Sequence, residues 1–195
     1  MKNLIVFLFL LYSNLVWSQD QILIDRLKQG GLNIFIRHAT TPGPDSNKYN
    51  PPTERPNDCS SSSRQLNDEG REQSRRIGER IKELNIPIGE VYSSAFCRCE
   101  ETAKLAFDRF TTVQWLLVRP GVYQPELDRA LRSIPSTGFF NKIPTDKNNV
   151  FVGHGVTFSP GVIGSDFPKV GLAEGEAVII EPGTSFKILG RIKFY

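Results

Sequence analysis

Leu32-Asn33-Ile34-Phe35-Ile36-Arg37-His38-Ala39-Thr40 is the stretch on which the fold of this chain turns. Its apolar first half reads as a buried strand, and its second half delivers an arginine and one of only two histidines to the strand's end. A neutral imidazole can attack phosphorus, while a neighbouring guanidinium can grip phosphoryl oxygens through parallel N–H donors. Strand, cation and nucleophile in succession point to phosphoryl chemistry at a strand end, where open α/β sheets place their sites.

Outward from that stretch, helix and strand signals alternate. Asp20 to Gln29 reads as a short helix closed by Gly30-Gly31. The segment from Thr41 to Ser63 holds Pro42, Pro44, Pro51, Pro52 and Pro56 and is expected to be a long loop. Asn67 then caps a helix whose Ile77, Ile81 and Leu84 follow the spacing of a buried stripe, and Pro87 stops it. Glu90 to Ser94 reads as a strand, Phe96 to Phe107 as a helix, and Val113 to Val118 and Asn149 to Val152 as further core strands, the last entering Gly153-His154-Gly155. Gly175 to Pro182 and Phe186 to Ile192 look like two closing strands. This order predicts an α/β protein, a three-layer sandwich around a mostly parallel central sheet.

Residues 1–18 are expected to be a signal peptide, leaving 19–195 as one domain. Lys2 supplies a positive start, Leu4 to Leu11 an unbroken apolar run, and Val16-Trp17-Ser18 a cleavage site. The run is shorter than the roughly twenty residues a membrane helix needs, so an exported, periplasmic or secreted protein without stable membrane insertion is expected. A formal net charge of +3, one unit of it from Lys2, and the lack of an arginine-rich stripe with interleaved aromatics argue against nucleic acid as a partner. Export also bears on Cys59, Cys97 and Cys99. Cys97 and Cys99 are too close in sequence to pair easily, so Cys59 is expected to bridge to one of them. Cys97-Arg98-Cys99 is poor zinc spacing, with a cation between the sulfurs, and no metal or cofactor is called for.

Three strand-to-loop junctions present unusual polar residues: Arg37-His38, Ser93-Ser94 followed by Arg98, and His154 between two glycines. Together with Leu66-Asn67-Asp68-Glu69-Gly70-Arg71-Glu72-Gln73 and Glu101-Thr102-Ala103, they occur in an order that resembles the histidine phosphatase superfamily, the phosphoglycerate mutase-like fold. The compact length and closing strands resemble the bacterial branch that includes the phosphatase of lipopolysaccharide-core heptose phosphate. The resemblance implies that His38 is a nucleophile forming a phosphohistidine, with Arg37, Arg98 and His154 as the phosphate pocket and the Gly155 backbone lining it. A phosphate there would favour protonated His154, whereas His38 must be unprotonated at the attacking nitrogen.

Departures from that pattern narrow the activity. The mutase glutamate has no counterpart in Trp115-Leu116-Leu117-Val118-Arg119, and Gly155 stands where acid phosphatases carry an aspartate after the second histidine. Glu126, Asp128, Glu174 and Glu176 are the remaining candidates for a leaving-group acid. The expectation is a metal-independent phosphomonoester phosphatase acting on a phosphorylated small molecule or an envelope glycan. Two other classes stay open, a protein phosphohistidine phosphatase and a non-catalytic phospholigand-binding module.

Overall fold

The computed structural model describes residues 19–42, 56–60, 63–113, 116, 144, 146–155, 171–183 and 186–195. A first helix, α1, runs through 19–28 and is followed by β1 (Asn33–Arg37), α2 (Asp68–Glu83), β2 (Ile88–Ser93) and α3 (Cys97–Phe107). Then come β3 (Thr111–Thr112), β4 (Asn148–Gly153), β5 (Ala177–Glu181) and β6 (Lys187–Ile192). The six strands form one sheet in the order β3-β2-β4-β1-β5-β6. The first three pairings in that order are parallel, and β5 and β6 join antiparallel, so the expected largely parallel α/β sheet is present.

Strand alternation sorts the core into two faces. Ile34 and Ile36 of β1, Val150 and Val152 of β4, and Ala177 and Ile179 of β5 pack with Leu23 and Leu27 of α1, Ile77 and Ile81 of α2, and Ala103 and Ala106 of α3. The helical stripe read from Ile77 and Ile81 is the one that is buried. Asn67 caps α2 as expected, its side chain accepting from the Gly70 N–H at 2.8 Å. On the other face Phe35, Phe151 and Val178 are fully buried, and Tyr92 stacks on Phe151. The described helices all pack on the first of these faces, and a second helical layer is not among the described residues.

One strand differs from its expected position. The chain makes a two-residue edge strand at Thr111–Thr112, pairing with Tyr92 and Ser93; of the core strand expected over Val113 to Val118, only Val113 and Leu116 are among the described residues, and neither lies in a strand. Leu116 is buried, its side chain close to Gly153. The ladder stops where β2 itself ends at Ser93. Residues 1–18, expected to be a signal peptide, and most of the expected loop from Thr41 to Ser63 lie outside the described residues, among which no helix is long and apolar enough to cross a membrane.

Candidate active site

Parallel pairing puts the C-terminal ends of β1, β2 and β4 side by side. Arg37 is in register with Gly153, and Ser93 with Val152, so the residues that follow each strand meet at one sheet edge. His38 N–H donates to Gly153 O at 2.9 Å, and Ser94 N–H to Val152 O at 2.9 Å, which carries the ladder one residue past the strands. The rings of His38 and His154 lie edge to face, 5.6 Å apart.

The two rings are held differently. His38 Nδ1 donates to Ala39 O at 2.9 Å, because a carbonyl can only accept, and this leaves the lone pair on Nε2. Arg98 Nη2 points at His154 Nδ1 at 3.4 Å, and a guanidinium can only donate. His154 therefore carries its proton on Nε2, which donates to Ser94 Oγ at 2.9 Å. The thiol of Cys99 flanks that ring, Sγ lying 3.6 Å from Nε2. Arg98 itself stacks over the Phe96 ring at 4.8 Å.

Both histidines are buried, and both pKa values fall well below the ordinary 6.5. Burial is the largest cause in each case, followed by the Arg98 guanidinium. Arg37 and Arg64 push both further down, while the Ala39 carbonyl partly offsets the shift at His38. Under the protein's own charges both rings are neutral, so protonating His154 requires charge brought by a ligand.

Arg37 is fixed by the turn that precedes β5. Its Nη1 donates to Leu172 O at 2.6 Å and its Nη2 to Glu174 Oε1 at 3.2 Å, whereas the buried Nε has no hydrogen-bond partner among the described residues. Gly155 lies close against this side chain, since a Cβ there would sit 3.2 Å from Arg37 Cδ. The turn is sewn to the strand end by Gly175 N–H, which donates to both Arg37 O and His38 O at 3.1 Å. Gly175 has φ +76°, and a Cβ would fall 2.6 Å from the Gln73 amide carbon, so a side chain fits neither the backbone nor the space.

Of the four carboxylates named as acid candidates, the structure brings Glu174 to the site. Its side chain accepts from Arg37, from Arg64 Nη2 at 3.1 Å, and from Thr41 N and Oγ1 at 3.1 and 3.0 Å. Glu176 is turned to its own loop, accepting from Ala173 N at 2.8 Å and lying 3.5 Å from Arg191 Nε. Glu126 and Asp128 lie outside the described residues. Sequence reasoning missed Arg64, whose Nε and Nη2 both donate to Thr41 Oγ1. Its place, three residues before the Asn67 cap, was the available signal: the cap fixes where the chain enters α2, and Asn67 N donates to Thr40 O, two residues beyond His38. Cys59 pairs with Cys97, the first residue of α3, and Cys99 is buried outside that disulfide.

The family model described as histidine phosphatase superfamily (branch 1) matches residues 33–118, from β1 past β3. No curated protein matches the sequence. Among solved structures, the protein histidine phosphatase SixA complexed with tungstate aligns at 14% identity and TM-score 0.51, over 84% of this chain and 97% of that one. A phosphoserine phosphatase mutant from Entamoeba histolytica, in complex with phosphoserine, aligns at 15% identity and TM-score 0.52, over 84% and 97%. A protein designated an alpha-ribazole-5'-P phosphatase from Escherichia coli aligns at 14% and 0.55, over 82% and 95%. At these identities the likeness is one of fold.

Proposed function

We propose that this protein is an exported, metal-independent histidine phosphatase that hydrolyses phosphomonoesters through a phosphohistidine at His38. The observation that carries this reading is the state of His38: a buried, neutral ring with its proton fixed on Nδ1 and its lone pair on Nε2, within the field of Arg37, Arg64 and Arg98. Neutral imidazole is the nucleophilic form. The guanidiniums stabilise the charge that builds on the phosphoryl oxygens, a task that a metal performs in other phosphatases. Arg37 Nε and the Arg98 and His154 side chains are the groups a phosphoryl oxygen would meet.

An envelope glycan phosphate or a scavenged phosphate ester fits the export expected from residues 1–18. The second reading, a protein phosphohistidine phosphatase, is favoured by one feature. Glu174, the acid candidate at the site, has both oxygens engaged by donors, and a leaving imidazole demands less protonation than an alkoxide.

Incubation with p-nitrophenyl phosphate in EDTA, quenched in alkali and mapped by mass spectrometry, tests the main reading. Turnover with phosphate on the His38 peptide is expected. Loss of turnover on chelation, or phosphate on another residue, would overturn it. Phosphohistidine peptide and sugar phosphates run side by side separate the two substrate classes.

A further inference from the structure

Glu174 stands at the nucleophile's back. Its Oε1 is 4.0 Å from His38 Nδ1, the nitrogen remote from attack, and its side chain is 19% exposed. Oε1 also takes Arg37 Nη2, Arg64 Nη2 and Thr41 Oγ1, while Oε2 takes the Thr41 N–H. Three guanidiniums surround a ring that must become positive when it reacts, and Glu174 is the carboxylate ion-paired with two of them.

Resting on the phosphatase reading above, we infer that Glu174 is a positioning residue for the nucleophile, countering the charge the His38 ring acquires on attack and holding the Arg37 fork in place, rather than a leaving-group acid. As the Nε2–P bond forms and the P–O bond breaks, the ring keeps its Nδ1 proton and becomes cationic. The leaving oxygen keeps the P–O electron pair and takes a proton from water. When water then attacks phosphorus, the Nε2–P pair returns to the ring, which becomes neutral again, and the water proton goes to solvent. A fixed carboxylate on the Nδ1 side favours the charged stage, as an aspartate does behind a protease histidine. Buried charges at that spacing are screened far less than surface ones.

The attachment of Glu174 suits this task. Its backbone carbonyl accepts from Gln73 Nε2 at 3.3 Å and from Tyr195 Oη at 3.1 Å, and the adjacent Gly175 N–H is tied to Arg37 and His38. Carboxylate and nucleophile are thereby fixed to each other through backbone as well as side chain.

Glu174→Gln and Glu174→Asp, assayed on p-nitrophenyl phosphate and on glycerol phosphate, test the inference. The nitrophenolate departs without a proton, whereas the alkoxide does not. Gln is expected to lower kcat on both substrates by a similar factor, about tenfold to a hundredfold, with Asp recovering part of it and KM moving less. The charged and titratable groups facing His38 are Arg37, Arg64, Arg98, His154 and Glu174, so neutralising Glu174 should also move the acid limb of kcat/KM to lower pH. A loss confined to glycerol phosphate would make Glu174 the acid and overturn the inference. Equal losses in Gln and Asp with an unmoved acid limb would reduce it to scaffolding. Should Gln fail to give a cooperative thermal transition, Asp alone carries the aryl–alkyl comparison. Wild-type protein that forms no phosphohistidine would end the phosphatase reading itself, an outcome separate from any of these.

Discussion

His38 and His154 are chemically identical side chains with ring centroids 5.6 Å apart, both buried and both pushed toward neutrality, yet they are held differently and the proposed mechanism gives them opposite tasks. His38 spends Nδ1 on a backbone carbonyl, which leaves the lone pair on Nε2, the nitrogen the proposal assigns to attack. His154 has both nitrogens engaged, by Ser94 and by Arg98, which suits holding and not attacking. The difference comes from their neighbours. His38 is followed by a chain whose Ala39 carbonyl turns back onto the ring, and Ala39 N–H is in turn held by Thr102 Oγ1 at 3.0 Å. His154 faces α3, whose first turn presents Arg98 and Cys99. An inventory of two histidines in a pocket does not separate the roles; the hydrogen-bond partner of each Nδ1 does.

The largest test of that comparison is replacement of each ring. His38→Ala should lose at least roughly a thousandfold in rate on p-nitrophenyl phosphate, about 4 kcal/mol of transition-state stabilisation. His154→Ala should lose about a hundredfold, the scale of removing one donor from a preorganised oxyanion site, and should still form phosphohistidine. Steady-state rates with trapping of the intermediate read both. Equal losses, with the intermediate absent from both variants, would erase the distinction.

How much of this was legible in the sequence differs between the two halves of the pocket. Arg37, His38, Arg98 and His154 follow strand ends or open a helix, so local pattern places them, and the parallel register brings them together. Arg64, Thr41 and Glu174 come from loops, where no periodicity marks direction. Glu174 enters because Gly175 takes a positive φ and its N–H is captured by the first strand's end, a contact between residues more than a hundred positions apart. The edge strand at Thr111–Thr112 escaped notice because two threonines carry no apolar run, while most of Val113 to Val118, where a strand was expected, lies outside the described residues. Composition fixed neither the Cys59 partner nor the acid candidate, since each depends on which side of α3 or β5 a loop crosses.

The disulfide sharpens the comparison from the His154 side. Cys97 begins α3 and directly precedes Arg98, and the bridge closes a separation of 38 residues. Chain entropy for a loop of that size gives about 3–4 kcal/mol of stability. Cys59→Ser should lower the urea midpoint accordingly and should raise KM more than it lowers kcat, because Arg98 loses its tether while His38 keeps its bonds to Ala39 and Gly153. An unchanged midpoint between oxidised and reduced protein would show that the segment around Cys59 is held without the bond.

The smallest effect is also the one that treats the two rings alike. Each histidine has its folded pKa well below the ordinary 6.5, so between those two values the unfolded chain binds more protons than the folded one. Stability from this source is fully present above about pH 6.5 and declines as the pH falls below it, with a slope of up to about 1.4 kcal/mol per pH unit for each ring. Replacing either histidine by alanine should remove its share of the slope, measured from urea midpoints between pH 5 and 7. Burial and Arg98 lead the shift at both rings, so the two variants should flatten the curve by similar amounts even though they differ by orders of magnitude in rate. Matched linkage with unmatched catalysis is what a shared environment and divided labour require. A slope carried by one ring alone would mean that the other is already protonated in the folded protein, and the division of roles would then have to be redrawn.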